Sequence, residues 1–342
     1  MRQREPSLLT KTNLFVDNLR HRDQYLRMLR DRMRFYMDTP SANGPRVIDN
    51  AQEYQAPPAF TVPEIDAADL TIEPLVSAMR EHGCLLVRGF FPARQVAGLR
   101  AYIDYAFALH RNDTRLSRYL RKRLDLSEMS RKIKPDIERK RKDNPTYSDT
   151  VRASRNLGQP FATNRSYLVP QTPIVAERIL QLYADRGLKS LLAEYFGNPP
   201  CASIYKWVMR RSGPPDNPLD FHQDGAFMGD DIASLNTWVP LTDCGPGESA
   251  HGLDLVPARL LQSYAKGSGV LDWSASAQRV QERFGEHGIV SPRYRAGDLL
   301  FFDHLLLHRS QHMPDFTEPR YALETWFFDS VNFPKNQIPL KW

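Results

Sequence analysis

Cysteine is scarce in this chain: Cys84, Cys201 and Cys244 are the whole set, widely spaced and odd in number. That argues against a disulfide framework and fits a reducing compartment. There is no Cys-x-x-Cys pair, so thiolate zinc and iron–sulfur sites are excluded. Long apolar runs are missing as well. No stretch reaches the roughly eighteen apolar residues of a transmembrane helix, and the opening MRQREPSLLT lacks the apolar core of a secretory signal. The expectation is a cytoplasmic protein. No internal repeat is visible, which sets repeat architectures aside.

What is present reads as globular. The 342 residues suffice for a full core, with 41% hydrophobic and 11% aromatic content. The net charge of +6 is concentrated in one place. From Arg111 to Lys142, thirteen Lys or Arg face five Asp or Glu, a local +8 that leaves the rest at −2. Leu116, Tyr119, Leu120 and Leu124 recur there at helical spacing, so part of the segment should pack on the core. Tyr119 alone is too little aromatic content for base stacking, and nucleic acid is not an expected partner. A merely solvated basic face competes with a ligand-steering role.

Residues 11–37 predict a helix, with Leu14, Phe15, Leu19, Tyr25, Leu26, Leu29, Met33 and Tyr36 at three- and four-residue steps. Pro40, Asn43-Gly44 and Pro57, Pro58 and Pro63 mark a linker. A helix near 71–82, the strand CLLVRGF (84–90) and a helix from Pro92 to about His110 follow. The basic stretch is read as helical but broken by Pro135, and 173–196 carries another apolar stripe. After about residue 200, short β-rich runs separated by Gly and Pro suit an all-β barrel or sandwich. The expected division is 1–63 as helix and linker, and 64–342 as one domain with helical support over 64–199 and a β core over about 200–330.

Within that core, FHQDGAF places His222 and Asp224 two residues apart, on one face of a strand. A His-x-Asp alone is weak evidence. The segment GDLLFFDHLLLHRS (297–310) reads as a buried, nearly continuous apolar strand carrying His304 and His308. Both have the same parity, so facing cannot separate them as the third ligand; the twelve-residue spacing from His308 to Arg320 favours His308. Arg320 opens the apolar strand RYALETWFF and, if buried, needs an anion. Glu318 or Glu324 could supply it. Two histidines, one carboxylate and a nearby buried arginine describe the facial triad of non-haem iron oxygenases, whose open positions take a chelating 2-oxo acid and O2.

The chain resembles the phytanoyl-CoA dioxygenase-like Fe(II)/2-oxoglutarate oxygenases from about Gly83 to Phe328. HGCLLVRGFF resembles their opening strand, FHQD their proximal metal motif, and Glu248 with GLDLVP a loop stretch. GDLLFFDHLLLHRS resembles their distal histidine strand. The resemblance implies a mainly β fold with a helical N-terminal part, a double-stranded β-helix (jelly-roll, cupin-like) barrel flanked by α-helices. It implies His222, Asp224 and His308 as Fe(2+) ligands, with 2-oxoglutarate as cosubstrate beside O2. Arg320 would anchor the far carboxylate, with Ser310 and Trp238 beside the cosubstrate. One departure stands out: VPARL replaces the usual PGSH, so loop contacts differ.

The expected function is hydroxylation, or another oxidation, of a C–H bond in a small or medium-sized metabolite. Phe227 and the triplet Arg121, Lys122 and Arg123 are candidate substrate contacts, the basic segment favouring an anionic or carrier-tethered substrate. An acyl-thioester hydroxylase, a zinc hydrolase and a silent binding barrel are the competing readings. Lys206 is expected at the surface, and His251 and His312 in solvated loops.

Overall fold

A computed structural model describes residues 16–17, 20–21, 23–25, 27–28, 31–32, 60–110, 166–213, 220–229, 232–264, 274–311, 316–331, 334, 337 and 339–342. The described residues between 16 and 32 are helical. Then come β1 (Glu64–Asp66), α1 (Ile72–Glu81), β2 (Cys84–Arg88) and α2 (Ala93–His110). β3 (Ser166–Leu168), α3 (Pro173–Asp185) and α4 (Leu188–Phe196) precede a largely β half. That half holds β4 (Pro200–Ser212), β5 (Phe221–His222), the single turn α5 (Gly225–Met228), β6 (Ser234–Pro240), β7 (Leu253–Val256) and β8 (Ser274–Ala275). It closes with α6 (Ala277–Phe284), β9 (Leu299–Phe302), β10 (Leu307–Ser310), β11 (Arg320–Asp329) and β12 (Pro339–Lys341).

α1 buries Leu75, Ala78 and Met79, one stripe at three- and four-residue steps. It stops at Gly83, whose φ of +72° is a left-handed conformation that side chains resist, and the chain turns straight into β2. β2 is buried on both faces, so its apolar run is continuous rather than alternating. Leu85 and Val87 face the helices, whereas Cys84 and Leu86 face the opposite way. Each such burial removes a side chain from water for roughly 1.5–3 kcal/mol.

One sheet has eight strands in the order β1-β2-β9-β6-β11-β4-β12, with β3 alongside β4; the other has four, β7-β10-β5-β8. Alternation divides the core accordingly. Leu235 and Val239 of β6, with Leu323 and Phe327 of β11, pack outward against α3 and α4 residues. Trp238, Ala322, Trp326, Phe302 and Leu300 face inward and meet Leu253 and Leu255 of the smaller sheet. The outer face of the smaller sheet, Phe221, Val256, Ala275 and Leu307, is covered by Val280 and Phe284 of α6. This is the mainly β, double-stranded β-helix architecture with flanking helices. All three cysteines are buried and unpaired.

Two expectations change. The 173–196 stripe is two helices, split at Gly187 with φ +76°. The 297–310 segment is two strands in different sheets, not one. The chain leaves β9 at Asp303, whose Oδ1 accepts from the Leu305 amide at 2.9 Å, and re-enters the other sheet as β10. Asp303 also forms a fully buried ion pair with Arg259, 2.6 Å from Nη1 to Oδ2. Arg259 donates further to the carbonyls of Met79 and Leu260. The VPARL departure therefore has a structural role: its arginine ties the loop to α1 and to the sheet crossover.

Candidate metal and cosubstrate site

β5 and β10 are neighbours in the smaller sheet, with His222 directly opposite His308. Phe221 and Leu307 turn outward, so both histidines turn inward. Their ring centroids are 4.4 Å apart. Each Nδ1 lies 3.0 Å from the carbonyl two residues earlier, that of Asp220 for His222 and that of Leu306 for His308. A neutral imidazole donating from Nδ1 keeps its Nε2 lone pair for a metal. Burial, and then the neighbouring His308, push His222 down to about 4, so it is neutral at ordinary pH.

Asp224 follows at the head of α5 and is buried. Burial opposes its charge, but Lys206 and the imidazoles of His308 and His222 outweigh that and hold the carboxyl below its usual range. Lys206 Nζ sits 3.2 Å from Asp224 Oδ1. Among the described residues no three His, Cys, Asp or Glu side chains are already gathered into a ligand cluster. The carboxylate is engaged by an ammonium while the two imidazoles stand together. Gln223, between the two, faces away and clasps the loops: it donates to the Leu305 carbonyl at 2.7 Å and accepts from the Tyr264 amide. Gly225 N–H donates to the His304 carbonyl at 2.8 Å, a second tie between the proximal motif and the crossover. His304 itself lies across from the larger sheet, Nδ1 2.8 Å from Ser234 Oγ. The crossover turn thus separates His304 from His308, which parity alone could not do.

Arg320 opens β11 on the facing sheet and is 3% exposed. Nη1 donates to the Gly252 carbonyl at 3.0 Å, Nη2 stands 3.5 Å from Ser310 Oγ, and Nε has no partner among the described residues. The guanidinium carbon is 5.6 Å from the Trp238 ring centroid. No carboxylate pairs with it among the described residues. Glu324 is taken by Arg210, with Nη2 2.7 Å from Oε2. Desolvation drives Arg320 down to about 10, the mark of a buried cation without a full counter-charge.

A model of the phytanoyl-CoA dioxygenase (PhyH) family matches residues 79–313. The chain belongs to the phytanoyl-CoA dioxygenase family of Fe(II)/2-oxoglutarate-dependent oxygenases. Solved structures of EctD from S. alaskensis share the fold at low identity. The apoform is 17% identical at TM-score 0.51, covering 86% of this chain and 89% of that one. The form with 2-oxoglutarate and 5-hydroxyectoine is 17% identical at TM-score 0.51, covering 83% and 88%. The form with bound Fe is 15% identical at TM-score 0.50, covering 86% and 88%. No curated protein is significantly similar in sequence.

In this member of the phytanoyl-CoA dioxygenase family His222 stands opposite His308, and two solvent expectations are corrected. Lys206 is not a surface lysine; it is mostly buried against Asp224. His251 is buried rather than solvated, its carbonyl 3.4 Å and its Nδ1 3.5 Å from Arg320 Nη1. Glu248 pairs with Arg293 at the surface. The side chain of Phe227, the triplet Arg121, Lys122 and Arg123, and His312 lie outside the described residues. Gln223, Arg259, Arg210 and Gly252 were not singled out in sequence, since each acts through a partner that only the folded chain brings near.

Proposed function

We propose that the chain binds Fe(II) through His222, Asp224 and His308 and 2-oxoglutarate through Arg320, aided by Ser310 and Trp238. In this reading it oxidises a C–H bond of a small or medium-sized organic molecule, most simply by hydroxylation. The observation that carries the reading is Arg320. A guanidinium this buried, lined by carbonyls and without a carboxylate, suits a ligand carboxylate that it grips through two N–H groups. A zinc hydrolase built on the same three ligands would leave that cation without a task.

The donor set fits iron. Two imidazoles held through Nδ1 by backbone carbonyls and one carboxylate are the ligand chemistry of non-haem Fe(II). When bound, iron with 2-oxoglutarate and O2 supplies the oxidising power. The protein's own part is orientation and shelter. The backbone carbonyls fix both imidazole rings; Lys206 holds the Asp224 carboxylate charged; Phe302 lies 4.8 Å from the His308 ring and helps keep the interior dry. The EctD structures with bound Fe and with 2-oxoglutarate support this assignment in the same fold.

Anaerobic Fe(II) with 2-oxoglutarate should give a weak visible charge-transfer band, since chelation requires open metal positions. His222→Ala, Asp224→Ala and His308→Ala should each abolish it, and His304→Ala should leave it. A band that survives His308→Ala but vanishes in His304→Ala would sink the ligand assignment.

A further inference from the structure

Asn236 stands at the middle of β6 with no exposed surface, and among the described residues neither its amide nitrogen nor its amide oxygen has a hydrogen-bonding partner. Buried amides without partners cost free energy, and native proteins rarely keep them unless another group satisfies them. This side chain shares a strand face with Trp238 and Ser234, the face directed into the barrel.

Its neighbours define where it points. Trp238, one same-face step away and so about 7 Å along the strand, lies under the Arg320 guanidinium. Phe302, directly opposite Asn236 in the β9 register, has its ring against His308. Trp326 faces it from β11 and packs on Phe302. The amide therefore sits between the cationic anchor and the histidine pair, in an interior whose nearest walls are aromatic. Of these walls, the Trp326 indole N–H is already given to Glu324 Oε1 at 3.3 Å, and the Phe302 ring carries no polar atom.

We propose that Asn236 is a cosubstrate-binding residue that donates its Nδ2–H to the metal-chelating carboxylate of 2-oxoglutarate and so orients the chelate. The proposal rests on the assignment of 2-oxoglutarate to this site. Arg320 accounts for one carboxylate of a five-carbon diacid, and an unpartnered amide one step along the same wall meets the other end. A hydrogen bond from a neutral amide to a charged acceptor is among the stronger kinds. It also explains why an amide, rather than an aliphatic side chain of the same size, occupies a position that packing alone would give to leucine.

The test uses the full-length enzyme with anaerobic Fe(II), 2-oxoglutarate titrated against the charge-transfer band, and oxalate as a competing chelator without the distal arm. Asn236→Leu should weaken both 2-oxoglutarate and oxalate roughly ten- to a hundredfold. Arg320→Ala should weaken 2-oxoglutarate but leave oxalate unchanged. Asn236→Thr, which restores a donor, should recover part of the loss. The metal-free Asn236→Leu protein should melt a few degrees higher than the parent, because an unpaired buried amide has been replaced by an apolar group. Wild-type affinity for both ligands in Asn236→Leu, or a lower melting temperature in that variant, would overturn the proposal. Absence of the band in the parent enzyme would instead overturn the assignment of 2-oxoglutarate to the site.

Discussion

Glu324 shows how a single interior residue sets a pH dependence. Burial opposes its charge, but the field of Arg210, with Lys206 and the Arg210 hydrogen bond, outweighs that and holds its carboxyl below the usual range. A carboxyl lowered in the folded state stabilises at pH above its unfolded value, and that stability is lost as pH falls through the folded value. Removing the arginine leaves a buried carboxylate without its main partner. Arg210→Met should therefore destabilise by about 2–3 kcal/mol at neutral pH, with a gap that narrows as pH drops toward 4 and Glu324 takes up a proton. Urea unfolding at several pH values checks this; a gap that stays constant with pH would show that Glu324 does not carry the effect. At this scale the sequence was legible where a residue's own strand decided its facing. The apolar runs flanking Arg320 mark it as a buried cation in search of an anion, but the shared strand face expected for His222 and Asp224 is not formed: β5 ends at His222, and Asp224 heads α5 in a helical conformation. Lys206 was misread because its partner arrives from a loop eighteen residues away in sequence, and a lysine without a visible partner defaults to the surface. Asn236 gave no signal at all: a lone asparagine in TWVPL's strand looks like any polar interruption.

The elements were legible to the extent that each was a local pattern. The helix after residue 71, the strand at Cys84 and the β half beyond residue 200 all follow from apolar spacing and Gly or Pro punctuation. The 297–310 segment was not, because a strand buried on both faces and a sharp crossover flanked by two such strands have the same apolar composition. The only local marks of the break are Asp303 and His304, and their meaning depends on Arg259 and Ser234, which come from other elements. The entry to β9 is set just as tightly. Gly297 has φ +100°, its amide donates to the Pro240 carbonyl and its carbonyl accepts from Phe91 N–H. A Cβ there would lie 2.2 Å from the Phe91 carbonyl oxygen. Gly297→Ala should therefore shift β9 against β2 and cost on the order of 2–4 kcal/mol, combining backbone strain and a displaced hydrogen bond. Thermal unfolding measures it, and a loss below about 0.5 kcal/mol, the level of an ordinary surface change, would mean that the junction yields without strain.

Across the whole molecule, the two sheets divide the labour. The smaller one contributes both histidines, while the larger contributes Arg320, Trp238 and Asn236. Anything bound between them must touch both. No helix among the described residues is long and apolar enough to cross a membrane. The three cysteines sit on this same frame: Cys84 in β2, Cys201 in β4 and Cys244 at a bridge to Tyr294, each without exposed surface. Burial raises all three thiols, Cys244 to about 12, so none is a thiolate in the native state. They form an intrinsic clock. An aromatic disulfide reagent should find no reactive sulfur in the native protein, and labelling should proceed only as fast as the frame opens. All three sites should then share one rate, which iron alone at a hundred times its dissociation constant should slow about a hundredfold. One cysteine labelling ahead of the others would reveal a part of the frame that comes loose by itself.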